Sequence, residues 1–556
     1  MLLYRTYRSA RHLAFIVCAL LVAALADTAI AAPDTITDVT RHAPPSSSDL
    51  NSQLPHQIEL LPSPLSPSHE GRRDRLNDPS GIWRRADHVD LLRLALADPD
   101  AAPGRGRGTG RVHSWETGEG KSYLIPALEI PAFVVLLNVF DRLAFPDKKK
   151  EGKKAYSTNL STTWEHLRRQ NWRFDSDSFE VNQFGHPVEG ATMYGLARSS
   201  GLNFWQSLLY SHAGSFLWEM AGETSRPSIN DFITTGNAGS LLGEALFRMA
   251  NLALEEGGER PAWQYETVAA LTSPPTAFNR LAFGDRFKTV FPNRKPAMFW
   301  QVMLGANLDI HATDLAPEAS DNDMNAVANF AMAYGLPGKP GYRYRQPLDY
   351  FDFELAFRSR LHNPLEAVTV RGLLAGADYH LGDDYLGIWG VYGSYDYINP
   401  HLYRVSSTAL SLGTTAQYWL APGVALQGSL LGGVGFGAAG TETEGGDGKG
   451  YHYGAVPQAL VALGLLFGDR AMLDLTGRGY YHNGSGVDQL IVRGDSGLTV
   501  RITGRHGVAV RYSESLRDVK SGADPTRHLS EGTVSLVYTY LGDQKFGAVE
   551  WREAAR

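Results

Sequence analysis

The C-terminal half of the chain alternates apolar and polar residues with a period of two, the pattern of a β-strand with two different faces. One such run sets Phe351, Phe353, Leu355 and Phe357 between Asp352, Glu354 and Arg358. About 12 runs of this kind follow one another from residue 297 onward, and several reach the ~9–11 residues with which a tilted strand crosses a membrane. The pattern therefore predicts an antiparallel sheet of many long strands.

The connections between these runs alternate in length. Short ones at 382–384, 421–423, 468–470 and 504–506 are separated by longer ones at 399–403, 437–450, 482–487 and 517–531. Outer-membrane barrels have short periplasmic turns and longer outer loops. We therefore expect a transmembrane-type β-barrel over residues 290–545, although a soluble β-sandwich also alternates and remains the alternative. Aromatic residues on one face and Gly, Ser, Thr and charged residues on the other favour the barrel.

The N-terminal part carries a targeting signal and little else. Residues 1–31 predict a cleaved signal peptide, with Arg5, Arg8 and Arg11 before an apolar run and small residues at its end. The single cysteine, Cys18, lies inside this segment, so the mature chain has no disulfide and no cysteine-based zinc site. Residues 32–120 are rich in Pro and Ser and predict a largely disordered linker. A net charge of −7 excludes a globally basic nucleic-acid-binding surface.

Residues 121–285 have helical spacing and predict a small helical domain. We expect one helix from His186 to about Ser200, a second from Phe204 to Gly222, and a third from a capping box at Ser228 to about Glu255. In the third helix, Gly236, Gly239 and Gly243 form a stripe that permits close helix approach. The apolar stretch 125–140 contains several polar residues and prolines, and we expect it to be too short and too broken to span a bilayer.

Polar residues of these helices are spaced so that they share faces. His212, Ser215, Glu219 and Glu223 lie on one face of the second helix, and His186, Glu219, Glu223, Asp231 and Glu244 are expected to converge between helices. Carboxylates and an imidazole together can perform acid–base chemistry or bind a metal. The candidate catalytic residues are therefore His186, Glu219, Glu223 and Asp231, and whether they bind a metal is left open. A buried hydrogen-bond network is the alternative that we favour.

A set of ordered motifs gives the helical domain a family resemblance. These motifs are Phe174-Asp175-Ser176-Asp177, Asn182-Gln183-Phe184-Gly185-His186-Pro187, Ala197-Arg198, Gly201-Leu202-Asn203-Phe204-Trp205, Trp218-Glu219, Pro227-Ser228-Ile229-Asn230-Asp231 and Gly243-Glu244. Over about residues 120–255 the chain resembles the bacterial domain-of-unknown-function family numbered 3943. The resemblance implies a secreted envelope protein of Gram-negative type, and it implies no particular activity.

These observations predict an α+β chain, in which a small helical domain precedes an antiparallel barrel of about 12 strands and a polar tail at 546–556. We expect an outer-membrane protein whose helical domain is periplasmic, with a structural or transport-related role. Two alternatives are a membrane enzyme acting on lipid or envelope substrates and an envelope-binding scaffold. Outer-membrane lipid is the expected partner, together with a small anionic solute if inward arginines line an open lumen. Neither nucleic acid nor a cofactor is expected, and protein partners and oligomeric state are not predicted.

Overall fold

The computed structural model describes residues 114–288 except 170 and 176, residue 290, and most of residues 295–549. Within the latter range the described segments are 295–312, 324–359, 364–400, 402–441, 449–484, 486–522, 526–542, 546–547 and 549. The predicted signal peptide, and the predicted linker up to residue 113, lie outside the described residues. The sequence places residues 114–120 in the predicted linker, but Trp115 packs its ring against Phe247 at a centroid distance of 5.5 Å.

The helical region begins with a long helix. Its α-helices are α1 (Leu124–Ala144), α2 (Leu160–Arg169), α3 (His186–Ser199), α4 (Phe204–Ala221), α5 (Ile229–Ile233), α6 (Gly239–Glu256), α7 (Trp263–Thr272), α8 (Pro274–Ala282) and α9 (Asp285–Lys288). A two-stranded hairpin, Lys149–Lys150 with Lys153–Lys154, follows α1, and π-helical turns precede α3 and α6. The long helices α1, α3, α4 and α6 pack side by side, and we call α1 to α9 the helix bundle.

Two sequence-based expectations about these helices were wrong. The stretch at 125–140 is part of an unbroken helix of 21 residues, because Pro126 lies in the first turn, where its missing N–H is not needed, and the helix continues through Pro131. The third expected helix is divided, since the π-turn Thr234–Ala238 separates α5 from α6.

The glycine stripe does allow two helices to touch. A Cβ atom on Gly239 would lie 2.6 Å from the Cα of Gly190 in α3, and one on Gly190 would lie 1.8 Å from the carbonyl oxygen of Thr235. Such distances leave no room for any side chain at either position.

The C-terminal region is a closed antiparallel barrel of 12 strands. The strands are β1 (Met298–Ala312), β2 (Met324–Tyr334), β3 (Phe351–Arg358), β4 (Leu365–Leu381), β5 (Tyr385–Ile398), β6 (Arg404–Ala421), β7 (Val424–Gly440), β8 (Tyr451–Phe467), β9 (Ala471–Gly484), β10 (Val487–Thr503), β11 (His506–Ser521) and β12 (Arg527–Leu541). Each strand pairs with the next, and β12 pairs with β1 to close the barrel. The fold class and the strand number are therefore confirmed.

The two ends of the barrel differ in their connections. The short-turn end carries the connections after β4, β6, β8 and β10, together with the longer segment 335–350 after β2. The opposite end, which we call the long-loop end, carries the other connections. Two loops expected to be long are shorter, because strand pairing continues to Gly484 and Val487 in one case and from Val519 to Arg527 in the other.

The helix bundle packs against the outward face of the barrel wall. Tyr395 and Tyr397 of β5 point away from the lumen and are fully buried, and Phe179 contacts the Tyr397 ring at 5.5 Å. On the uncovered side, Leu412 of β6 is 66% exposed and Leu430 of β7 is 58% exposed. The described helices therefore lie beside the barrel wall and outside the lumen.

Candidate functional site

The first candidate site is a buried polar cluster at the N-terminal end of α3. The two ring nitrogens of His186 face the carboxylates of Asp231 and Glu189, at 3.5 Å and 3.4 Å. Burial disfavours the charged imidazole, but these carboxylates outweigh it and raise the pKa of His186 to about 10. Burial raises the pKa of Asp231 to about 6, against the opposing effect of His186. At neutral pH the two side chains therefore form a buried ion pair.

Glu219 has a structural partner of its own. Its Oε2 accepts a hydrogen bond of 2.6 Å from the backbone N–H of Ser228, which begins α5. Ser228 Oγ accepts from the N–H of Asp231, as expected for the cap of α5. The acidic side chain that accepts from the N–H of Ser228 is Glu219 of α4, whereas the sequence predicted Asp231 in that role. Burial, followed by the nearby carboxylates of Asp231 and Glu223, raises the pKa of Glu219 well above its usual range.

Glu223 belongs to a neighbouring group centred on Lys150. The Lys150 ammonium lies 2.7 Å from Glu223, 3.4 Å from Asp175 and 2.9 Å from Asp177. Burial alone would raise the pKa of the Glu223 carboxyl, but Lys150 outweighs burial and lowers it. One buried cation thus fixes the hairpin after α1 to the loop before α3 and to the end of α4.

The cluster is bonded to the barrel wall at its long-loop end. Asn182 Nδ2 donates to the hydroxyls of Tyr451 and Tyr453, at 2.9 Å and 3.0 Å. Asn230 Nδ2 donates to the Tyr453 hydroxyl at 2.8 Å and to the Asp231 carboxylate at 2.6 Å. The groups around His186 are therefore part of the joint between bundle and barrel.

Glu244 does not join this cluster, contrary to the sequence-based expectation. It lies between Arg198 and Arg248, at 2.8 Å and 2.7 Å, and also accepts from the Tyr194 hydroxyl at 2.7 Å. Arg248 continues to Asp349, 3.2 Å away and close to the short-turn end of β3. The described residues therefore place Glu244 and the His186 cluster near opposite ends of the barrel.

The sequence-predicted residues thus divide into separate groups. His186, Glu219 and Asp231 share one buried cluster, Glu223 is held by Lys150, and Glu244 lies near the opposite end of the barrel. His212 hydrogen-bonds to the backbone of its own helix, with Nδ1 3.0 Å from the carbonyl oxygen of Leu208. Among the described residues, no group of three or more His, Cys, Asp or Glu side chains has the geometry to hold a metal ion. The catalytic role of His186, Glu219, Glu223 and Asp231 stays a prediction.

Sequence reasoning missed Lys150, Asn182 and the two wall tyrosines. Asn182 lies within a motif of the family resemblance. Lys150, Tyr451 and Tyr453 have no recognisable motif around them, because their partners are far away in the chain. Tyr451 and Tyr453 alternate like any outward aromatic pair. Only the fold brings them to Asn182.

The second candidate site is the barrel lumen, which contains a layer of ion pairs. Arg371 lies 3.0 Å from both Asp352 and Asp396, and Arg478 lies 3.0 Å from Glu354 and 3.1 Å from Asp495. Two more inward arginines extend the layer: Arg358 pairs with Asp309 and Glu366, and Arg493 pairs with Glu366 and Asp495. These four inward arginines are therefore each matched by carboxylates.

Apolar layers lie on both sides of these ion pairs. Toward the long-loop end, Ile398, Val405, Val456 and Ile491 are buried together in the lumen.

Two cavities along the lumen have volumes of about 10 Å³ and 40 Å³. Cavities of that size hold roughly one to a few water molecules.

The C-terminal tail contributes to the layer at the short-turn end. Gln417 accepts from the N–H of Val549 and donates to its carbonyl oxygen, at 3.0 Å and 2.9 Å, and Gln427 donates to the carbonyl oxygen of Gly547 at 2.9 Å. Phe546 packs with the inward side chains Trp419 and Met472. This part of the expected polar tail therefore lies inside the barrel, while the residues after Val549 are outside the described part.

Several solved structures are similar to this chain in part. An anion-selective porin from Comamonas acidovorans is 10% identical, with 44% of this chain and 99% of that chain covered and a TM-score of 0.20. An outer membrane channel from Pseudomonas putida F1 is 9% identical, with 45% and 96% covered and a TM-score of 0.26. The channel DcaP of Acinetobacter baumannii is 7% identical, with 45% and 99% covered and a TM-score of 0.23. No curated protein matches the chain.

A family model covers part of the helix bundle. The match begins and ends further along the chain than residues 120–255, over which the sequence motifs resemble the family. Residues 171–275 match the family described as a domain of unknown function, DUF3943.

Proposed function

We propose that this chain is an outer-membrane protein in which a side-chain-filled β-barrel anchors and positions the helix bundle. Two features together support the proposal. The lumen is filled by side chains, and the helix bundle is hydrogen-bonded to the outward face of the barrel wall. A barrel leaves no open strand edges, and its outward side chains on the uncovered side are apolar. The same features argue for a structural role over the transport-related one.

The lumen argues against free passage of an anionic solute. Each of Arg358, Arg371, Arg478 and Arg493 has a carboxylate within 3.3 Å, so binding an anion there would require a buried ion pair to separate. Apolar layers on both sides would also have to move. A pore of this kind would need a conformational change that opens both layers.

The predicted periplasmic location of the helical domain stays a prediction. Packing of the bundle along the outward wall supports a location beside the barrel. The enzyme alternative gains no specific support, because His186 and Glu219 are buried and because both, like Glu223, have internal partners.

Membrane fractionation tests the proposal. Cells producing the full chain are lysed, and the membranes are washed with high salt and then with a detergent that solubilises the outer membrane. We expect the protein to stay with the outer-membrane fraction through the salt wash and to be released by the detergent. Recovery in the soluble periplasmic fraction would overturn both the location and the anchoring role.

A further inference from the structure

The outer side of α1 is an extended apolar surface. This helix is long and apolar enough to cross a membrane, yet only 22% of its most apolar stretch is buried. Leu128 is 64% exposed, Leu136 67% and Leu143 77%. Soluble proteins rarely expose a continuous apolar surface of this kind.

The contacts at the two ends of α1 place it alongside the barrel. Just before α1, the N–H of Ser122 donates to the carbonyl oxygen of Ser200. Ser200 is two residues after Arg198, which pairs with Glu244 in the polar centre near the short-turn end. Beyond its last turn, Lys148 lies 3.2 Å from Asp177, whose carbonyl oxygen accepts from the Tyr451 hydroxyl near the long-loop end. The helix therefore runs between the levels of the two barrel ends.

The exposed face of α1 thus lies at the same height as the apolar outward wall. Leu412 and Leu430 of that wall are as exposed as Leu128 and Leu136 of α1. A lipid layer that surrounds the uncovered strands also meets this helix, since both have their apolar side chains outward at these levels.

A basic hairpin lies just beyond the end of α1. Lys149, Lys153 and Lys154 are exposed, while Lys150 between them is held by the buried carboxylates described above. Exposed lysines next to the end of an apolar helix fit the negatively charged phosphate layer of a membrane. The buried Lys150 fixes the hairpin in place, so these cations are presented at the long-loop side.

From these observations we propose that α1 lies in the same lipid layer as the barrel, with Lys149, Lys153 and Lys154 against the phosphate groups of anionic lipid at the long-loop side. The inference rests on the membrane placement in the proposed function and extends it to the helix bundle. The membrane-spanning segments are then the 12 strands and α1, and the polar cluster around His186 is enclosed between α1 and the barrel wall.

Site-directed spin labelling tests the position of α1. With Cys18 replaced by serine, single cysteines are introduced at Leu136 on α1, at Leu412 on the barrel wall and at the exposed Lys520 of β11. The labelled proteins are reconstituted in phosphatidylcholine vesicles, and the accessibility of each label to oxygen and to a water-soluble nickel chelate is measured. We expect the labels at 136 and 412 to favour oxygen and the label at 520 to favour the chelate.

The outcomes separate the two proposals. A label at 136 that favours the chelate, with lipid exposure at 412, overturns the location of α1 and leaves the barrel placement intact. A label at 136 shielded from both reagents also overturns it, because a protein partner or a second copy then covers the helix. Chelate access at both 136 and 412 overturns the proposed function itself.

Lipid retention tests the role of the hairpin. The variant K149Q/K153Q/K154Q is compared with K288Q, which removes one exposed lysine on α9. Each protein is incubated in detergent with lipid A or with its dephosphorylated form, and the bound lipid is quantified after gel filtration. We expect the triple variant to retain several-fold less phosphorylated lipid than K288Q, with equal retention of the dephosphorylated form. Equal retention of both lipids by the two variants would overturn the assignment of the hairpin.

Discussion

Arg248 joins the helix bundle to the barrel through contacts that its local sequence does not reveal. It pairs with Glu244 on its own helix, with Asp349 next to β3, and donates to the carbonyl oxygen of Pro347 at 2.9 Å. Glu244 and Arg248 form an i,i+4 pair, whose four-residue spacing is visible in the sequence. The partner at Asp349 could not be predicted, because 101 residues separate it from Arg248.

Removing this cation should destabilise the protein strongly. The variant Arg248→Met leaves two buried carboxylates without their shared partner, which costs about 3–5 kcal/mol in comparable cases. The free energy of unfolding is measured in detergent by titration with urea. The matched control is Arg226→Met, whose side chain is 51% exposed beside Glu151 and should matter by less than about 1 kcal/mol. Equal effects of the two variants would contradict the account.

The ion pair of His186 should make stability depend on pH. Because the pKa of His186 is raised in the folded protein to about 10, its stabilising effect is complete below about pH 6.5 and is lost as the pH rises to about 10. Ionisation of Glu219, whose pKa is also raised, acts in the same direction.

The pH effect is isolated by comparison with a variant. We expect the urea midpoint of the wild-type protein to fall between pH 6.5 and 10 more steeply than that of His186→Gln. Parallel pH profiles for the two proteins would show that His186 is not charged in the folded state.

At the scale of elements, the crossing of α3 and α6 depends on two glycines. The variant Gly239→Ala places a methyl group against Gly190, and overpacking of this kind costs typically ~1–3 kcal/mol. The control is Gly432→Ala in β7, where an added Cβ meets nothing within 4 Å. Limited proteolysis should cut the bundle faster in Gly239→Ala and leave Gly432→Ala unchanged. An equal protease resistance of both variants would contradict the close packing.

Helix positions were more predictable than helix continuity. The expected bounds of α3 and α4 agree with the structure to within one residue at each end. The π-turn before α6 and the passage of α1 through Pro131 depend on packing with neighbouring helices, which periodicity does not reveal.

For the whole molecule, the alternation of residues predicted the number of strands well, because side chains of a barrel strand point alternately to the wall and to the lumen. What covers each outward residue could not be predicted in the same way. Tyr395 and Leu412 both read as outward apolar positions, yet the bundle buries one and leaves the other exposed. The filling of the lumen was equally hidden, since Arg371 and Asp396 come together only across paired strands.

The conductance of the purified full-length protein in a planar lipid bilayer tests the central claim most directly. A barrel filled by ion pairs, apolar layers and the segment around Phe546 should insert without producing current steps. Insertion is checked in the same preparation by protection of the barrel from added protease. Stable ohmic steps from the inserted protein would contradict the filled barrel and restore the transport-related role.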